Sequence, residues 1–155
     1  MLAHYSPKNE TRIESDACQF GLGSILFQKV DNNWRPVSFA SRSLTDCEQR
    51  YAVIEKELLG ITWACSKFRD YIVGLPHFEI ATDHAPLQSL LNDKKIDELS
   101  PRLQRLRLQI AGMPYVVRYC KGKDNIPADC LSRAPVCHIS DCSDCYMRAS
   151  EIFFY

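Results

Sequence analysis

The chain has 155 residues, 46% hydrophobic and 25% charged, which are the proportions of a folded domain rather than of a disordered or collagen-like chain. Nineteen basic residues balance nineteen acidic ones, so a globally basic nucleic-acid binder is excluded while a local basic patch is not. No apolar run reaches the roughly 18–20 residues of a membrane span, and Met1-Leu2-Ala3-His4-Tyr5-Ser6 lacks the charged start and apolar centre of a secretion signal. The expectation is therefore an intracellular protein with no membrane partner, whose scattered Cys18, Cys47, Cys65, Cys120 and Cys130 are reduced thiols.

After ten irregular residues, Thr11 to Ala17 alternates weakly and reads as a first strand. Gly21-Leu22-Gly23 reads as a turn, Ser24 to Val30 as a second strand, and Asp31-Asn32-Asn33 as a second turn. Trp34 to Leu44 is a third strand with Val37, Phe39 and Ser41 on one face. Short connections make these three an antiparallel meander. Thr45 followed by Glu48 predicts a capping box opening a long helix. Ile54, Leu58, Ile61, Cys65, Phe68 and Ile72 recur at helical spacing, and Gly74 and Pro76 end the run. Phe78 to Asp83 is a fourth strand, Pro86 to Leu91 a short helix, and residues 92–99 a charged loop. Ser100-Pro101 opens a helix that closes at Gly112. Tyr115 to Tyr119 is a fifth strand, Gly122 to Asn125 a turn, and Pro127 to Arg133 a last helix. The order βββαβααβα implies an α/β fold: a mixed five-stranded sheet, three antiparallel strands and then two parallel, with flanking helices.

Two acids fall at strand ends. Asp16 closes the first strand and Asp83 the fourth. Parallel strands present their C-terminal ends to one sheet edge, so if these two strands are neighbours the carboxylates face each other. Paired carboxylates repel, and a cation is their natural partner. On a helical wheel Glu57 lies roughly 60° from the apolar stripe and Glu55 roughly 100° away, so Glu57 flanks the sheet while Glu55 points further out. Ala52, Leu59 and Trp63 form a second apolar patch, as on a helix covered on two sides. Asp129 sits in the first turn of the last helix, where the helix dipole favours negative charge. Taken singly, each acid also reads as a turn, flank or cap residue; together they point to a site for a hard cation.

The linked motifs carry a family. Ser15-Asp16-Ala17 with Gly21-Leu22-Gly23-Ser24-Ile25-Leu26, and then Pro36 to Leu44, resemble the opening of a retroelement ribonuclease H domain. Tyr51, Glu55-Lys56-Glu57-Leu58-Leu59-Gly60-Ile61, Trp63-Ala64 and Phe68-Arg69 continue the resemblance. So do Thr82-Asp83-His84-Ala85-Pro86-Leu87 and the run from Gly122 to Arg133, which ends Ile126-Pro127-Ala128-Asp129-Cys130-Leu131-Ser132-Arg133. The subtype is similar to the gypsy class of LTR retrotransposons, over about residues 1–134. The resemblance implies a ribonuclease-H-like fold and metal-dependent hydrolysis of the RNA strand of RNA·DNA hybrids. Its acidic set falls on Asp16, Glu57, Asp83 and Asp129, as catalytic residues and as ligands of two Mg²⁺ ions for which Mn²⁺ substitutes. Such ions sit about 3.5–4 Å apart. The implied partners are the hybrid and the polymerase region of a reverse transcriptase polyprotein, in the cytoplasm or in a retroelement particle. Many relatives carry a His before the last helix; Cys120-Lys121-Gly122-Lys123-Asp124 has none, as is common in the gypsy class, so the proton shuttle is unassigned. His84 adjoins Asp83 but, on a strand end, is expected to face away.

Residues 94–133 hold nine basic and four acidic residues, a patch that either follows a phosphate backbone or is a solvated helix face. Within it Arg102, Arg105, Lys121 and Lys123 are the candidate nucleic-acid contacts. Asn125 either orients substrate or Asp129, or caps the last helix. Residues 135–155 form a tail in which Cys137, His138, Cys142 and Cys145 either bind zinc or belong to a disordered segment. The chain is expected to be a fragment, a truncated element copy or a retained domain. Two rivals remain: a non-catalytic hybrid-binding or assembly module, and an integrase-type nuclease. The second is disfavoured because Glu57 falls between the two aspartates rather than after them.

Overall fold

The computed structural model describes residues 2–120 and 126–133. Five strands form one sheet: β1 Thr11–Ala17, β2 Gly21–Val30, β3 Asn33–Ser43, β4 Phe78–Thr82 and β5 Tyr115–Tyr119. Their order is β3-β2-β1-β4-β5. The β1–β2 and β2–β3 pairs are antiparallel, and the β1–β4 and β4–β5 pairs are parallel. The helices are α1 Val53–Lys67, α2 Arg69–Ile72, α3 Ala85–Asn92, α4 Pro101–Ile110 and α5 Ile126–Arg133.

The hairpin between β2 and β3 is tighter than the sequence suggests. Asp31 and Asn32 take φ of 50° and 64°, and Asn33 already pairs with Val30. Left-handed residues at both turn positions match the twist of the strands they join, and Asp and Asn tolerate that conformation. Gly21-Leu22-Gly23 is not a turn; it opens β2, and the chain reverses at residues 18–20 instead. There the Cys18 thiol accepts the backbone N–H groups of Phe20 and Gly21. Edge strand β3 does not keep Val37, Phe39 and Ser41 on one buried face. A register shift between Leu26 and Phe27 skips Val37, so that Ala40 reaches the core and Ser41 is exposed. Pro36 cannot donate to a ladder, and an edge with a bulge accommodates it.

The capping box at Thr45 forms, but it caps a different element. Thr45 N–H donates to Glu48 Oε2 at 2.9 Å and Glu48 N–H to Thr45 Oγ1 at 3.3 Å, around the 3₁₀ turn Glu48–Arg50. Arg42 also holds Glu48 in a bidentate pair, which lowers its carboxyl to about 2. The long helix begins later, at Val53, where Glu55 accepts the Ala52 N–H. It breaks at Phe68 rather than running on to Ile72, and α2 follows. Gly74, at φ 85°, then turns the chain towards β4.

The core lies between one sheet face and α1, α3 and α4. Ile13, Leu26, Ile80 and Val117 supply the sheet side, and Leu58, Ile61, Cys65, Phe68, Leu87, Leu103, Leu106 and Ile110 the helical side. Leu59 and Trp63 are only partly buried but pack against this cluster, so α1 is covered on its second side in part. Cys18, Cys47 and Cys65 are free thiols, and burial pushes Cys65 up to about 12. Among the described residues no helix is long and apolar enough to cross a membrane.

Candidate metal centre and active site

The parallel register of β1 and β4 builds the site. Arg12, Ile13 and Glu14 lie opposite Glu79, Ile80 and Ala81. Two residues further along each chain come Asp16, still within β1, and Asp83, just beyond β4. Both therefore arrive at the C-terminal edge of the sheet, at the point where the strand order changes direction.

Helix α1 delivers the third acid. It crosses β1 closely at Gly60, where an added Cβ would meet Ser15 Oγ at 2.8 Å. Glu57, one turn earlier, consequently overhangs the end of β1 and accepts the Ala17 N–H. Ligand oxygens of Asp16, Glu57 and Asp83 all lie within 4.8 Å of one another. Asp16 and Glu57 are each 7% exposed and Asp83 is half-buried, so the cluster opens on the Asp83 side. Burial pushes the Glu57 carboxyl up to about 9, and the charges of Asp16 and Asp83 add to that rise. A set of three carboxylates pressed together, all oxygen donors, fits a hard divalent cation.

The opposite face of β1 meets α5. Ser15 points to α1, and its neighbour Asp16 accepts a hydrogen bond from Ser132 Oγ at 2.5 Å. Gly23 makes this approach possible, because a Cβ there would sit 2.3 Å from Ser132 N and 2.4 Å from Ala128 O. The Cys18 thiol donates to Ser132 O at 3.0 Å. Asp129 is placed on α5, but its side chain lies outside the described residues, as do Lys121, Lys123, Asn125 and the whole tail 135–155.

Other expected residues sit elsewhere. Glu55 does not project into solvent: its side chain is 13% exposed and pairs with Arg102 at 2.9 Å. The guanidinium of Arg102 also lies 4.1 Å from the Tyr51 ring centre. Arg107 donates to Lys94 O and Leu91 O, closing the end of α3, and Arg118 pairs with Glu79. Arg105 donates to Pro101 O on its own helix. Much of the expected basic patch is thus tied down within the fold. His84 serves as the N-cap position of α3 and is not among the clustered ligand groups.

A model of the RNase H-like domain found in reverse transcriptase matches residues 6–113. The chain belongs to this family. It is 43% identical over 124 residues to the retrovirus-related Pol polyprotein from transposon 297 of Drosophila melanogaster, covering 80% of this chain and 11% of that polyprotein. It is 36% identical over 121 residues to the Pol polyprotein from transposon gypsy of the same organism, covering 78% and 11%. The RNase H-like chain thus corresponds to only a small part of these curated relatives. Among solved structures it resembles LC11-RNase H1, isolated from compost, with a TM-score of 0.64 at 17% identity, covering 83% of this chain and 96% of that one. It also resembles the foamy viral protease-reverse transcriptase in complex with RNA/DNA hybrid, with a TM-score of 0.62 at 20% identity, covering 77% and 16%. At such identities the structural likeness speaks for the ribonuclease-H-like fold, which agrees with the mixed five-stranded sheet expected from the sequence.

Proposed function

We propose that this chain is a metal-dependent endoribonuclease that hydrolyses the RNA strand of RNA·DNA hybrids, as the RNase H part of a retroelement Pol polyprotein. The observation that carries the reading is the convergence of Asp16, Glu57 and Asp83 at one edge of the sheet. Residues 1–134 form the working domain on this reading. Its setting is inside the cell, in the cytoplasm or a retroelement particle.

Asp16, Glu57 and Asp83 would hold two Mg²⁺ ions, or Mn²⁺ in their place, with Asp129 of α5 as a further ligand. When bound, the ions supply an acidified water and charge neutralisation at the leaving 3′-oxygen. The protein's part is to keep the three carboxylates close together. Burial raises Glu57 most and the charges of Asp16 and Asp83 add to it, and both penalties on the ionised carboxylate are what a bound cation would offset. Half-buried Asp83 marks the open side from which the scissile phosphate enters. Arg105, Lys121, Lys123 and Asn125 are the proposed backbone contacts, and Arg102 joins them only by leaving Glu55. Contacts of this kind grip phosphate regardless of sequence, while the 2′-hydroxyl distinguishes the RNA strand.

The test is cleavage of a labelled RNA·DNA hybrid in Mg²⁺ and in Mn²⁺, with single-stranded RNA and duplex DNA as controls. Cutting of only the hybrid's RNA strand, lost in Asp16→Asn, is the expected result. Binding of the hybrid without cutting would replace this reading with that of a non-catalytic binding module.

A further inference from the structure

We infer that Ser132 is a positioning residue for the metal centre: its hydroxyl fixes Asp16 in the rotamer that faces Glu57 and Asp83. The inference rests on the metal-centre reading above and extends it to the opposite face of the sheet. Ser132 is fully buried, and its Oγ donates to Asp16 Oδ2 at 2.5 Å. An O–H···O⁻ bond of this length to a carboxylate is among the stronger side-chain bonds. Partners of this kind orient metal ligands in general.

Two features of the fold hold the hydroxyl in place. The Gly23 notch seats the α5 backbone on β2, since a Cβ there would collide with Ser132 N, Ala128 O and the Leu131 carbonyl carbon. The Cys18 thiol then grips Ser132 O at 3.0 Å, tying α5 to the turn that follows Asp16. Asp16 is thus bracketed, with α1 placing Glu57 on one side and α5 placing Ser132 on the other. The docking of α5 and the geometry of the metal centre become one event.

The experiment is Mn²⁺ titration of the full chain by calorimetry, free of nucleic acid, for the unmodified protein and three variants. Ser132→Ala should weaken Mn²⁺ binding by about 10-fold or more, the usual size of losing a ligand-orienting partner. Ser132→Cys, close in size but a poorer donor, should fall between the two. Ser24→Ala is the control: Ser24 is equally buried and lies on the same sheet, but its hydroxyl donates to the Glu14 backbone O at 2.7 Å rather than to an acid of the cluster. It should lose thermal stability without losing Mn²⁺. Mn²⁺ affinity within twofold of the unmodified protein in Ser132→Ala overturns the inference. If that variant does not fold, the same result in Ser132→Cys overturns it. An equal loss in Ser24→Ala also overturns it, because the effect would then be general loosening. Absence of Mn²⁺ binding by the unmodified chain overturns the metal-centre reading itself and this inference with it.

Discussion

Replacing Glu57 with Gln should make the metal-free protein more stable and at the same time abolish its response to Mg²⁺. Glu57 is buried against Asp16 and Asp83, and its carboxyl is pushed up from 4.5 to about 9. The unfolded chain releases that proton near 4.5, whereas the folded chain keeps it. A group that holds its proton more tightly when folded favours folding fully below its unfolded pKa. That contribution is lost as the pH rises from 4.5 towards 9. At about pH 7.5 the loss amounts to about 4 kcal/mol, from about 1.4 kcal/mol for each pH unit travelled. Gln is uncharged and nearly isosteric, so it removes this cost. Water beside half-buried Asp83 screens part of the repulsion, which leaves an expected gain of about 1–3 kcal/mol, or about 3–9 °C in Tm. Thermal melts in excess EDTA across the neutral range measure it. The unmodified protein should lose stability with rising pH, and Glu57→Gln should lose less. Added Mg²⁺ should raise the Tm of the former and leave that of the latter unchanged. A variant that melts at or below the unmodified protein in EDTA at about pH 7.5 would refute the idea that Glu57 is held under carboxylate pressure.

Three further substitutions separate the roles of neighbouring residues. Asp83→Asn should lower hybrid cleavage by more than about 100-fold with little change in Tm, since a half-buried ligand is lost and no packing is disturbed. Glu55→Gln should cost under about 1 kcal/mol in chemical denaturation and leave cleavage within about threefold, because Arg102, its partner, is itself half-exposed. A loss as large as that of Glu57→Gln would contradict the separation of the two glutamates. Gly60→Ala should destabilise by about 1–3 kcal/mol through contact with Ser15 Oγ. Ser15→Ala in the same chain should recover part of it, since that buried oxygen has no hydrogen-bond partner among the described residues. Strictly additive losses in denaturant melts would exclude a direct clash.

The mixed sheet was legible from connectivity, and the meeting of Asp16 with Asp83 followed from it once β1 and β4 are neighbours. Two strand-end acids, one on each of two strands joined by a crossover helix, reach the same edge whatever the side chains between them. Glu57 was legible from helical phase. Glu55 was read as pointing further out than Glu57, but its partner Arg102, 47 residues away on α4, could not be read from helical phase. Thr45 and Glu48 form the expected reciprocal bonds, yet local chemistry cannot say whether the turn it caps continues. Here an extended Tyr51 stops it, and a second start follows at Ala52. The shift on β3 depends on how Pro36 is fitted against Phe27, a pairing not written in either strand alone. Ser132 went unread although a signal was present. It lies three residues after Asp129 on a short helix, the spacing of one helical face, in a motif already tied to the acids. What the sequence lacked was the reason for that helix to touch β1. Gly23 and Gly60 supply it as a pair. Each removes a Cβ at the place where a helix crosses the sheet, one on each face, and each such helix carries a residue that engages the end of β1. Read singly, the two glycines suggest a turn and a weak helix position; read against the sheet, they set the distances on which the carboxylate cluster depends.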